Sequence, residues 1–122
     1  MKRRYFLAIV AVSLAAVGTA PAATIFRITT DKVHRYQYDV KVLKAKAGQI
    51  TISMLNQGRD PHNVAIRAGT AFSAKAALVT GKIVGKGGTS RVTVTLKKGK
   101  YRFFCSVDGH EFAGMWGILT VT

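Results

Sequence analysis

The strongest constraint on this chain is a period of two. Apolar and polar residues alternate through short runs, each cut off by glycine, proline, asparagine or a lysine-rich turn, and half-buried strands have this pattern. Ile25-Phe26-Arg27-Ile28-Thr29 is one run, and Tyr36–Val42 is a second, with Tyr36, Tyr38, Val40 and Val42 on one face. Gln49–Leu55 is a third. His62–Ile66 is a short fourth, after the turn formers of Asn56–Pro61. Lys82-Ile83-Val84 reads as a brief strand, and Ser90–Leu96 puts Val92, Val94 and Leu96 on one side. Lys97-Lys98-Gly99-Lys100 reads as a hairpin turn returning the chain as Tyr101–Cys105, and Trp116–Thr122 closes the series. The Ala-rich stretch Thr70–Thr80 has Phe72, Ala76 and Val79 near helical spacing, so a short helix or an irregular excursion is expected there. Seven or eight strands with turns this regular specify an all-β Greek-key sandwich or barrel. At 122 residues one domain is the natural size, and no internal repeat or linker divides it.

The first 22 residues follow a different pattern. Met1-Lys2-Arg3-Arg4 is basic, Tyr5–Val17 carries no charge, and Ala20-Pro21-Ala22 supplies a small-residue cleavage pattern. A secretory signal peptide has this order of parts, so residues 1–22 are expected to be one and residues 23–122 the exported domain, periplasmic or otherwise extracytoplasmic. The apolar run of about 13 residues falls short of the roughly 20 that span a bilayer, and an uncleaved anchor is the competing reading. Cys105 is the only cysteine, which excludes an intramolecular disulfide and also lipid attachment near the N-terminus. An exported chain that keeps one unpaired thiol needs a use for it.

That use is suggested by four residues: His62, Cys105, His110 and Met115. Three follow one another as Cys105-x4-His110-x4-Met115 in the loop between the last two strands, and His62 opens a strand far upstream. Each has an ordinary structural role available. A lone cysteine is usually a small buried hydrophobe, His62 can cap a strand, His110 can be a polar loop residue and Met115 can fill the core. Together, a thiolate, two imidazoles and a weak thioether make the donor set of one type 1 copper ion. Cu(I) is soft and Cu(II) harder, and a thiolate with two imidazoles suits both. Counting excludes the related copper sites, because a dinuclear centre needs two cysteines and no two of the three histidines stand as His-x-His. His34 lies in a polar stretch without a partner motif and reads as surface.

With these residues in place, the chain resembles a small cupredoxin, with the ligand spacing of the auracyanin and rusticyanin group and a relation to plastocyanin and azurin. The resemblance runs through Ala47–Ile52, which is similar to the family's strand-opening segment, Pro61–Ile66, Tyr101–His110 and Ala113–Gly117. It implies that the backbone N–H of Asn63 points at the thiolate sulfur and that the Asn63 side chain ties to the loop near Ser106, bracing the site. It also implies that His110 is the partly exposed ligand, rimmed by Pro61, Phe112 and Ala113, with Phe104 and Trp116 packed near the site to exclude water. Asp108 stands where many relatives have proline, so the loop is less rigid or is capped by that carboxylate. Asp108 and Glu111 put acid beside His110 at the expected docking end.

The resemblance implies a one-electron carrier, not an enzyme, because a closed four-ligand set leaves no position open for substrate. Two alternatives draw on the same residues. Copper storage or delivery usually uses open Met- or His-rich sites, and this chain has three methionines including Met1. A thiol enzyme would use Cys105 as nucleophile with His62 or His110 as base, and would need no metal. Of 19 basic residues, three precede the expected cleavage point, leaving 16 against 5 acids and a net +11. Such charge favours acidic redox partners, such as a cytochrome or a membrane oxidoreductase, or an anionic membrane surface, with encounters that weaken in salt. Lys97, Lys98, Lys100 and Arg102 gather at one turn. No recognition helix or stacking motif points to nucleic acid, and the domain is expected to act as a monomer.

Overall fold

Strands β1 (Ala22–Thr29), β3 (Gly48–Leu55) and β6 (Thr89–Leu96) form one sheet in the order β1-β3-β6. Strands β2 (Val42–Ala45), β4 (Ala65–Ala68), β5 (Val79–Thr80), β7 (Gly99–Phe104) and β8 (Trp116–Val121) form a second in the order β2-β8-β7-β4-β5. This is a computed structural model, and it describes residues 22–122; the signal segment expected at 1–22 lies, but for Ala22, outside them. The all-β two-sheet sandwich of eight strands is the expected architecture, and no helix occurs among the described residues.

The period of two explains the core. In β3 the side chains of Ile50, Ile52 and Met54 all face inward and are fully buried, and Val92 and Leu96 from β6 are buried opposite them. Leu43, Ile66, Tyr101, Phe103, Leu119 and Val121 meet them from the second sheet. Each such side chain contributes roughly 1.5–3 kcal/mol by leaving water. Gly117 in β8 is the tightest glycine position among the described residues, because an added Cβ would land inside the Phe103 ring and 2.8 Å from the Lys41 carbonyl oxygen. Gly117→Ala is therefore expected to destabilise the fold by ~2–3 kcal/mol through overpacking, measured as a shift of the urea midpoint.

Four expectations for individual segments need correction. Tyr36–Val42 is not a strand: only Tyr38 bridges, to Thr30, and the strand starts at Val42, with Val42 itself 60% exposed. Likewise Lys82–Val84 contributes only a bridge between Val84 and His62, and β4 begins at Ala65, not at His62. The Lys97–Lys100 turn is not a hairpin, because β6 and β7 belong to different sheets and the chain crosses between them there. Strand alternation alone does not reveal which strand is the partner.

Residues 70–78 are irregular, not helical, and the second sheet shows why. Arg67 and Arg102 rise from the outer face of β4 and β7, side by side in register. Arg67 Nε donates to the Lys75 carbonyl at 2.8 Å and Arg102 Nη1 to the Thr70 carbonyl at 2.9 Å. Carbonyls that would accept helical bonds are taken by guanidinium groups, so the segment lies over the sheet as a cover. That cover buries both faces of β7, leaving Tyr101, Arg102, Phe103 and Phe104 all at 6% exposure or less.

Candidate metal centre

One end of the second sheet delivers three donor atoms to one point. Cys105 follows β7, His110 sits in the loop after it, and His62 lies in the bridge before β4. His62 Nδ1 and His110 Nδ1 are 3.2 Å apart, Cys105 Sγ is 3.5 Å from His110 Nδ1, and it is 3.9 Å from His62 Nδ1. Metal–nitrogen bonds near 2.0 Å and a metal–sulfur bond near 2.3 Å, set in a plane, would space such donors roughly 3.5–3.7 Å apart, so the triangle fits one ion. His62 and Cys105 are buried, and His110 is half-buried. Met115, fully buried, ends the loop that carries the other two.

Backbone bonds hold that loop closed. Met115 N–H donates to the His110 carbonyl at 3.0 Å, and Cys105 N–H to the Met115 carbonyl at 3.1 Å. His110 N–H reaches Val107 O and Ala113 N–H reaches Gly109 O, both at 3.0 Å, with Gly109 at φ +79°, where a Cβ would be strained. The loop is thus fixed by its own turns, without the proline of many relatives and without a cap from Asp108.

Asn63 sews the two halves of the site together. Its Nδ2 donates to Ser106 Oγ at 2.7 Å and to the Gly81 carbonyl at 3.0 Å, and its Oδ1 accepts from Ser106 N–H at 2.8 Å. Its own carbonyl accepts the buried Tyr38 hydroxyl at 2.7 Å. Burial pushes the Cys105 thiol up, while hydrogen bonds from the backbone N–H groups of Asn63 and Val107 pull it back toward thiolate. Burial lowers the basicity of both histidines, helped at His62 by the neighbouring His110, so both favour the neutral, metal-binding form. Asn63→Ala is expected to lower copper affinity by roughly 10–100-fold while Ser106→Ala costs less, read by competition with a chelator.

The sequence of residues 26–122 matches the family model described as copper binding proteins, plastocyanin/azurin family. The chain belongs to that family. Its cofactor is copper, and His62, Cys105, His110 and Met115 are arranged as a type 1 copper site. Among solved structures the cupredoxin is similar to a dithionite-reduced auracyanin from the photosynthetic bacterium Roseiflexus castenholzii, at 24% identity over 84% of this chain and 99% of that one, with a TM-score of 0.70. It is also similar to auracyanin A, a "blue" copper protein of the green thermophilic photosynthetic bacterium Chloroflexus aurantiacus, at 21% identity, 83% and 100% coverage and a TM-score of 0.70. A tryptophan-to-tyrosine mutant of amicyanin, in reduced form, follows at 26% identity, 80% and 82% coverage and a TM-score of 0.56. Among curated protein sequences none matches this chain.

Several neighbours of this cupredoxin's copper site carry no signal in the sequence. Glu111 is not an acid at the docking end. It is 7% exposed and buried between two arginines: Arg67 Nη1 donates to Oε2 at 2.8 Å, Arg67 Nη2 to Oε1 at 3.1 Å, and Arg102 Nε to Oε2 at 2.6 Å. Arg102, for the same reason, is not part of the lysine-rich turn. Phe104 and Trp116 carry these arginines, with the Arg67 and Arg102 guanidinium carbons each 3.9 Å from a ring centroid. Trp116 is 37% exposed, so its ring is an arginine platform at the surface and not the water seal that was expected. Pro61, Phe112 and Ala113 are exposed at this end, and Phe112 meets Phe72 edge-on.

Alternation places Tyr36 in a strand, yet its ring lies 4.7 Å from that of His110, centroid to centroid. Arg35 holds this segment to the His62 loop, its Nε and Nη2 donating to Asp60 at 2.5 and 2.8 Å. The guanidinium keeps the Asp60 carboxyl down at about 2. Asn56 shapes that loop from inside, donating to the Asp60 and Val84 carbonyls and accepting from Gly58 N–H. Its place among the turn formers marked a loop, but nothing in the sequence marked it as buried.

Proposed function

We propose that this cupredoxin is an exported one-electron carrier and not an enzyme, in which His62, Cys105, His110 and Met115 would hold one copper ion. The observation that carries the reading is the convergence of Cys105 Sγ and the two Nδ1 atoms within 3.2–3.9 Å on a loop already closed by backbone bonds. Copper supplies the exchangeable electron, alternating between Cu(I) and Cu(II). The chain's part is to keep the donor triangle unchanged through that exchange. Asn63 and Ser106 fix the thiolate side, Glu111 fixes the loop beyond His110, and Arg35–Asp60 fixes the approach to His62.

The half-buried His110 is the natural port for electrons, because it is the ligand whose ring reaches the exposed end between Tyr36 and the Phe112 side of the loop. The proposed partners are redox proteins, such as a cytochrome or a membrane oxidoreductase, met by a monomer in the periplasm or another extracytoplasmic space. The experiment is voltammetry on the copper-loaded chain, followed by metal analysis. A reversible one-electron wave with copper retained through many cycles supports the carrier. Copper lost to a chelator on each reduction would overturn it in favour of delivery.

A further inference from the structure

The carboxylates of the described residues gather at one end, where Lys32, Arg35, Arg59, Lys82 and Lys86 lie among them. All five carboxylates lie at the metal end: Asp31 and Asp39 around the close of β1, Asp60 before His62, and Asp108 and Glu111 in the 105–115 loop. The opposite pole, where β2, β6 and β8 finish and β3 and β7 start, carries Lys44, Lys46, Lys97, Lys98 and Lys100, all exposed. Register gathers them. Lys44 and Lys100 flank Thr120 from either side of β8, about 10 Å apart at ordinary strand spacing. Lys46 lies two residues before Gly48, whose partner Leu96 leads directly into Lys97 and Lys98. The length of β7 sets this pole roughly 20 Å from Cys105, about two Debye lengths in physiological salt, so the distant acids do not neutralise it.

The chain also enters the described domain at this pole. Ala22 pairs with Gly48, so β1 starts at the lysine pole, and residues 1–21 join the domain there. Those residues include the uncharged Tyr5–Val17 run and Lys2, Arg3 and Arg4. On the uncleaved-anchor reading of residues 1–22, a chain that meets a bilayer through that run brings this pole toward the headgroups.

We propose that the lysine pole is a docking surface for an anionic lipid bilayer, seating the domain with its copper end turned away from the membrane. Each lysine brought to an anionic surface multiplies the partition by roughly five-fold, and the long side chains reach phosphate oxygens without moving a strand. The His110 edge then faces the aqueous phase. The inference stands on charge placement and chain direction and does not depend on the electron-carrier reading.

The test uses the full chain on vesicles of phosphatidylcholine, alone or mixed with phosphatidylglycerol, with lysines mapped by an amine-acylating reagent and mass spectrometry. The expected result is several-fold protection of Lys44, Lys46, Lys97, Lys98 and Lys100 on the phosphatidylglycerol vesicles at low salt, while Lys32, Lys75, Lys82 and Lys86 react as in solution. Equal protection of both sets, protection indifferent to phosphatidylglycerol, or protection by an acidic protein but not by these vesicles would overturn it. Replacing the five pole lysines with glutamine is expected to lower phosphatidylglycerol-dependent binding by roughly 100-fold or more. The same replacement at Lys32, Lys41, Lys75, Lys82 and Lys86 should lower it less than tenfold. Equal losses would show that net charge, not the pole, binds the lipid, and the proposal would fail.

Discussion

Glu111→Ala is expected to destabilise the protein by ~3–5 kcal/mol, as removal of one member of a buried ion cluster does. The carboxylate is the only anion within reach of two guanidinium groups whose side chains are 6–7% exposed. Its loss leaves both arginines buried and facing one another. They cannot easily turn outward, because Phe104 and Trp116 hold them from below and the 70–75 carbonyls hold them from above. The effect should reach the site as well, since Glu111 is bonded directly to His110 and ties the metal loop to β4 and β7. Urea denaturation of the wild type and variant measures the first effect, and the dissociation rate of copper measures the second. A change below ~1 kcal/mol would mean that the cluster is solvated in solution. A triple variant with apolar residues at Arg67, Arg102 and Glu111 is expected to recover most of the lost stability, because hydrophobic replacements need no desolvated charge.

Cys105→Ser is expected to abolish the intense visible absorption of the copper-loaded protein while leaving the fold intact. That colour requires charge transfer from a thiolate, and serine supplies no sulfur and remains a protonated alcohol at neutral pH. The apo-protein should tolerate the change at a cost of ~1–3 kcal/mol, since the new hydroxyl is close to His62 Nδ1 and His110 Nδ1 as hydrogen-bond partners. Absorption spectra and paramagnetic resonance of both loaded proteins check the prediction. Persistence of the blue colour in the variant would remove Cys105 from the metal.

The strands with two-fold alternation and one buried face, β3, β6 and β8, are legible within a residue or two, because burial on one side forces the pattern. Tyr36–Val42 shows the same alternation but is not a strand. Its tyrosines serve separate tasks, Tyr38 bonding to the Asn63 carbonyl and Tyr36 lying on His110. Glu111 shows the converse failure. An acid beside a loop histidine reads as solvent-exposed, and only the meeting of β4 with β7 puts two arginines over it.

By itself, the sequence determined the all-β class, the metal and its candidate ligands, because these follow from residue type and short-range spacing: a soft donor, two imidazoles and a thioether retain their chemistry whatever the fold. Only the tertiary structure decided what each charge does. It decided that Glu111 and Arg102 are buried together, that Asp60 clamps the His62 loop, and that five lysines share the pole where the chain enters. Charge is felt through distance and dielectric, and both are set by which strands become neighbours, which no local stretch of sequence records.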